Sequence, residues 1–246
     1  MKRFVALLLS ATVPAVSAIC AEDHLQRGEL PWGNDHLFLR YDKEIRRVLW
    51  RAWEADVVLR TVHFPPFHTE WIVGIVRRPG GYKAFLLEPT AQVWAALQNP
   101  DNPKKELASI HARYYERELS EAFSERLAAI FRRVLSDRRN YREDRRRIIV
   151  TDSSSFTYMV RYQPGEYFVA YTESEEHTPS AVLFDVSSSL YLFVRGKIDV
   201  TNKKWLRMTP RGSQLALEHS IRDAEAKLGM TRRSNQALQP TTSRRG

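Results

Sequence analysis

The chain reads as an α+β protein: a mainly antiparallel sheet of five to six strands with about four helices packed on it. Three observations predict this. Two hairpins are written as turns, Pro79-Gly80-Gly81 and Gln163-Pro164-Gly165, each between runs rich in β-branched and aromatic residues. Apolar residues recur at three- and four-residue steps in separate stretches, the signature of amphipathic helices. The elements follow as helix, three strands, a further strand, helix, two strands, helix, helix. That order lacks the alternation of a parallel βαβ fold and favours an antiparallel sheet with helices on one side.

Residues 1–21 carry the pattern of a cleavable secretory signal. Lys2 and Arg3 are followed by thirteen residues without charge, 4–16, and then by the small residues Ser17, Ala18 and Ala21. That span falls short of the roughly 20 apolar residues needed to cross a bilayer. Cleavage fits after Ala18 or after Ala21. Cys20, the only cysteine, stands where a lipoprotein cysteine would, but Ser17 and Ile19 are the wrong types around it, which makes a lipid anchor the weaker reading. The expectation is a periplasmic or secreted protein with no membrane-spanning segment after cleavage.

Residues 22–40, with Gly28, Pro31 and Gly33, read as an N-terminal coil. Residues 41–229 read as a single α+β domain, and residues 230–246 as a disordered basic tail. Asp42 is the expected cap of a first helix whose apolar face carries Ile45, Val48, Leu49, Ala52 and Trp53. Residues 57–62 alternate as a strand. Residues 71–77 and 82–87 form the first hairpin. Residues 99–103 read as a loop and residues 110–115 as a further strand. Ser120 caps a helix over 121–136 with Phe123, Leu127, Ile130, Phe131 and Val134 on one stripe. Residues 156–162 and 167–172 form the second hairpin. A helix follows Pro179 and ends before Gly196, and Thr209-Pro210 opens the last helix, which ends at Gly229.

Composition bounds the chemistry. A formal net charge of +9 falls to +7 once the first 21 residues, with Lys2 and Arg3 and no acid, are removed. A chain cut after Ala21 has no cysteine, which excludes thiolate chemistry and internal disulfides. No Gly-x-Ser-x-Gly, Gly-x-x-x-x-Gly-Lys, His-Glu-x-x-His or Cys-x-x-Cys occurs. No cofactor is expected and no catalytic residue is assigned.

The strongest compositional signal is basic. Residues 132–147 hold Arg132, Arg133, Arg138, Arg139, Arg142, Arg145, Arg146 and Arg147 against Asp137, Glu143 and Asp144. Arg138, Arg139, Arg142, Arg145, Arg146 and Arg147 are the expected anion-binding residues, because a guanidinium grips phosphate or carboxylate through two parallel hydrogen bonds. Tyr141 offers a ring for stacking. For an exported protein the partners expected are anionic lipid headgroups or cell-wall polymers; nucleic acid is disfavoured.

Weaker candidates complete the reading. His63, His68 and Glu70 have metal-ligand types around a proline break but no standard ligand spacing, and no metal is assigned to them. Asp152, Ser153, Ser154, Ser155 and His177 have the types of a serine hydrolase, and Glu173, Glu175 and Glu176 could supply paired carboxylates. These make an envelope hydrolase the alternative to a non-enzymatic binding or interaction domain. Trp50, Trp53, Trp71 and Trp94 fall on expected helix or strand and are assigned to the core, leaving Trp32 as the exposed candidate.

The run Tyr41-Asp42, Ile45 to Leu49, Ala52-Trp53, Asp56 to Arg60, Pro65-Pro66-Phe67 and Glu70 to Ile75 resembles a pattern in bacterial proteins without an assigned activity. The resemblance spans about residues 40–200 and implies one continuous domain, with no site residue to carry over. Residues 234–241 resemble the read-through tails at the ends of mobile gene cassettes, which implies no function for them.

Overall fold

The computed structural model describes residues 25–27, 36–65, 67–99, 101–137, 154–172, 180–201, 204–207 and 209–230. The strands are β1 (Gln26–Arg27), β2 (Val57–Phe64), β3 (Trp71–Arg78), β4 (Gly81–Pro89), β5 (Ala112–Leu119), β6 (Ser155–Gln163), β7 (Glu166–Thr172), β8 (Lys197–Thr201) and β9 (Lys204–Arg207). The helices are α1 (His36–Val48), α2 (Val93–Gln98), α3 (Pro103–Ser109), α4 (Glu121–Ser136), α5 (Ser180–Arg195) and α6 (Pro210–Lys227), with a 3-10 turn at Trp50–Trp53. Seven strands pair in the order β1-β7-β6-β2-β3-β4-β5, every pair antiparallel. The α+β class and both hairpins are as the sequence predicts. The β8–β9 ribbon, which pairs only with itself, is an addition to that reading.

Local chemistry sets the element ends. Ser120 Oγ accepts from the Phe123 amide at 3.4 Å and starts α4 where the sequence places it. Thr209 Oγ1 does the same for the Gly212 amide at 3.1 Å, with Pro210 in the first turn of α6. Gly81 adopts φ of 123°, a conformation closed to other residues, and this folds β4 back along β3. Asp42 does not cap α1. The helix begins six residues earlier, at His36, and Asp42 lies inside it, 2.8 Å from Arg46 one turn on. The N-terminal coil therefore includes a helical turn at its end. Residues 93–98 and 103–109, which have no place among the expected helices, form α2 and α3. Asn102 caps α3 by accepting from the Lys105 amide at 3.2 Å, and Pro103 opens it.

Helices cover both faces of the sheet rather than one. On one face α4, α5 and α6 pack over Leu59, Val73, Ile75, Leu86, Phe156 and Tyr158. On the other, α1, α2 and α3 cover Val62, Ile72, Val76, Phe85, Leu87 and Met159. Two-sided burial explains the unbroken apolar run Ile72-Val73-Gly74-Ile75-Val76 in β3, since a strand with one wet face would alternate. Each fully buried Leu, Ile or Phe here contributes about 1.5–3 kcal/mol. No described helix is long and apolar enough to cross a membrane.

Polar ties fix the helices over the sheet. Thr61 Oγ1 and Ser187 Oγ share a buried hydrogen bond of 2.7 Å between β2 and α5. Arg126 Nε and Nη2 grip both Glu225 oxygens at 2.7 Å, joining α4 to α6. Arg117, on the edge strand β5, donates to the Phe193 carbonyl at 2.7 Å, to Ser213 Oγ at 2.7 Å and to the Pro210 carbonyl at 3.0 Å. It thus holds the end of α5 and the start of α6 at one point.

Gly74 marks the tightest place in the sheet. A Cβ there would lie 2.3 Å from the Leu59 carbonyl oxygen and 2.8 Å from two carbons of the Phe85 ring. The backbone neighbour cannot yield, so Gly74→Ala is expected to lower stability by about 2–4 kcal/mol, read as a shift in the urea midpoint with an unchanged slope.

Candidate functional site

The corner after α1 concentrates arginine and aromatic side chains at the surface. The chain leaves α1 through tight backbone bonds, Leu49 amide to Ile45 carbonyl at 2.8 Å and Ala52 amide to Leu49 carbonyl at 3.0 Å. This turn buries Leu49 and Ala52 and turns Trp50 and Arg51 outward. Trp50 is 57% exposed. Trp53 lies between two guanidiniums, Arg46 at 5.0 Å and Arg60 at 4.7 Å from its ring centre. Arg60 is buried on β2 and donates to the Ala52 carbonyl at 2.9 Å, which ties the turn to the sheet.

The acids around this corner are already engaged. Asp42 pairs with Arg46 at 2.8 Å and Glu44 with Arg47 at 2.6 Å. Glu54 and Asp56 hold Arg78 at 2.9 Å and 2.7 Å. Desolvation lowers the Arg78 pKa, but Glu54, Tyr114 and Asp56 outweigh it and the net shift is upward. Glu116 takes Lys83 at 3.4 Å and the Tyr114 hydroxyl. Burial, then that carboxylate, push the Tyr114 phenol up to about 12, so it stays a neutral donor.

Arg51 is different. Its guanidinium lies 4.6 Å from the Tyr114 ring centre and 5.6 Å from that of Trp50. Among the described residues it has no side-chain hydrogen bond and no ion pair. Two rings hold this cation in place while its N–H edge stays unspent. A cation–ring contact at an exposed site is worth about 0.5–1 kcal/mol, enough to bias the rotamer without neutralising the charge.

The expected anion-binding residues Arg138, Arg139, Arg142, Arg145, Arg146 and Arg147 lie outside the described residues, as do Tyr141, Asp152, Ser153, Glu173, Glu175, Glu176, His177, Cys20 and Trp32. Arg132 and Arg133, the first of the run, sit in the last turns of α4. Arg132 reaches Glu125 at 3.5 Å and Arg133 is exposed. Ser155 opens β6 opposite Phe64 in the strand register.

His63, His68 and Glu70 are not gathered into a ligand set. Among the described residues no group of three or more His, Cys, Asp or Glu is placed to hold a metal. Glu70 is fully buried and caps α2, accepting from the Val93 and Trp94 amides at 3.0 Å each and from the Tyr41 hydroxyl at 2.8 Å. Burial raises its pKa above the ordinary carboxyl value, opposed by these hydrogen bonds. His68 is exposed. His63 stacks on Phe156, centres 4.5 Å apart, and tilts against Trp71 at 4.9 Å. Among the described residues neither of its ring nitrogens has a hydrogen-bond partner.

Trp53, Trp71 and Trp94 are packed as the sequence reading expects, but Trp50 is not a core residue. The signal was present: on a helical wheel Trp50 falls with Arg46 and Arg47, off the stripe of Ile45, Val48, Leu49 and Ala52. Arg51 and Tyr114 escape sequence reasoning because strand pairing across the sheet brings them together. No family model matches the chain, and no match was found among curated proteins or among solved structures.

Burial, and then the charge of His68, lower the His63 imidazole to about 4. In the unfolded chain it titrates near 6.5, so between these values the unfolded state binds more protons. Stability is therefore complete above about pH 6.5 and falls as the pH drops towards 4, by at most about 3 kcal/mol. His63→Phe, which keeps the stack, should flatten this acid limb in urea titrations at pH 7 and pH 4.5.

Proposed function

We propose that the protein is an exported, non-enzymatic binding domain that engages anionic partners, lipid headgroups or cell-wall polymers, through the basic run 132–147. The observation that carries this reading is the location of the unbalanced charge. The run has a net charge of +5, out of +7 for the chain without its first 21 residues. Among the described residues several arginines are matched to a carboxylate: Arg46 to Asp42, Arg47 to Glu44, Arg126 to Glu225, Arg195 to Glu88 and Arg222 to Glu218. A partner of opposite charge would gain from eight closely spaced guanidiniums and release bound counterions.

Export is part of the same proposal and rests on residues 1–21. It makes membrane surface and wall polymers the anions within reach. For the alternative, an envelope hydrolase, no observation speaks: Glu70 is spent on the α2 terminus and the described residues gather no metal-ligating group.

The test is co-sedimentation of the mature protein with vesicles rich in anionic lipid, and separately with isolated wall polymer, from low to high salt. Binding should weaken with salt, and simultaneous replacement of Arg145, Arg146 and Arg147 by Glu should weaken it about tenfold or more. Equal binding by wild type and the triple variant, or none to either probe at low salt, would overturn the reading.

A further inference from the structure

The corner built by Trp50, Arg51 and Tyr114 has the composition of a ligand subsite, and it is distinct from the basic run. Trp50 presents an indole at the surface, with more than half its area open. Beside it stands Arg51, within cation–ring distance of Trp50 and Tyr114 and without an ion pair among the described residues. The surrounding carboxylates, Asp42, Glu44, Glu54 and Asp56, are each bound to another arginine. Among the described residues none of these acids is paired with Arg51, and neither is Glu116, which takes the Tyr114 hydroxyl and Lys83.

We propose that this corner binds an acidic sugar residue of a polysaccharide, whose ring stacks on Trp50 and whose carboxylate takes the open edge of Arg51. The chemistry selects the class. A pyranose offers a face of C–H bonds to an indole, and a uronic acid carries its carboxylate on C5, at the edge of that same ring. A planar carboxylate matches the paired N–H donors of a guanidinium. Holding that guanidinium between rings in advance lowers the entropy lost on binding. The inference extends the proposed binding function to a second surface and narrows its partner to polymers with acidic sugars. It stands or falls apart from the basic run.

The site has few moving parts. Tyr114 is anchored by Glu116 and stacks with Phe85, centres 6.4 Å apart, so its ring is a fixed wall. Trp50 follows α1 after one residue, and the buried Val48 and Leu49 just before it fix that junction. Trp50 and Arg51 are both exposed, so replacing either should leave the fold intact.

The experiment is calorimetric titration of the mature protein with a hexamer of galacturonic acid, with a neutral glucose hexamer and inorganic phosphate as further probes. Indole fluorescence follows the same titrations. The acidic hexamer should bind and quench fluorescence, while the neutral hexamer and phosphate should not reach half-saturation over the same range. Trp50→Ala and Arg51→Gln should each weaken binding about fivefold or more, with thermal midpoints unchanged. The triple charge reversal at Arg145–Arg147 should change it by no more than about twofold, which separates this site from the basic run. Absence of binding at millimolar hexamer, equal binding of the neutral hexamer or of phosphate, or retention of affinity in both Trp50→Ala and Arg51→Gln would overturn the proposal. A loss confined to the triple variant would also overturn it, by assigning binding to the run.

Discussion

The structure depends on a sheet whose central strands are dry on both sides. β3 buries Ile72, Val73, Ile75 and Val76 with no alternation, and β2 and β4 follow it on either side. A sheet built this way is stable only with a layer on each face. That requirement calls for the long helices α4 to α6 on one face and gives the short helices α1 to α3 their place on the other. Gly74 shows how close the layers come, since the space above it belongs to Phe85.

Two-sided burial then constrains the charges. Arginine is abundant, and where its stem crosses apolar ground its head must find a carboxylate, a carbonyl or a ring. Arg195 crosses to Glu88 at 2.7 Å, with the Tyr191 hydroxyl on the other oxygen of that carboxylate at 2.7 Å. Arg161 settles on the Ala55 and Val57 carbonyls. Arg60 uses a carbonyl and the face of Trp53. One of these solutions spends a carboxylate, and the other two use backbone carbonyls and a ring. Among the described residues Arg51 has no carboxylate partner, and the rings of Trp50 and Tyr114 lie beside it instead.

Much of the fold was legible in the sequence because its signals are local. Ser120 before an amphipathic stripe, Pro-Gly turns between β-branched runs, and Thr209-Pro210 each act within a few residues. What escaped is what distance decides. Two faces of helices were written in the unbroken apolar run of β3, but a short apolar run of this kind is not told from a buried helix segment by periodicity alone. α2 depends on Glu70, 23 residues upstream, for its first hydrogen bonds, and no local motif announces it. Asp42 has the right chemistry for a cap and the wrong place, because the helix had already begun. Of the candidate site, the exposure of Trp50 was readable from its angular position in the helix, whereas the meeting of Arg51 with Tyr114 required the strand order. The basic run was plain from composition alone.

Arg117 has an architectural consequence. By holding the Phe193 and Pro210 carbonyls, it closes the passage from α5 to α6 with a polar staple on the edge strand. The β8–β9 ribbon lies between those two anchor points and pairs with no strand of the main sheet. The hydrogen-bonded ladder of the main sheet therefore does not pass through the ribbon. Evolution, or a protein engineer, has room to lengthen, exchange or graft that excursion as long as the Arg117 staple at its two ends remains.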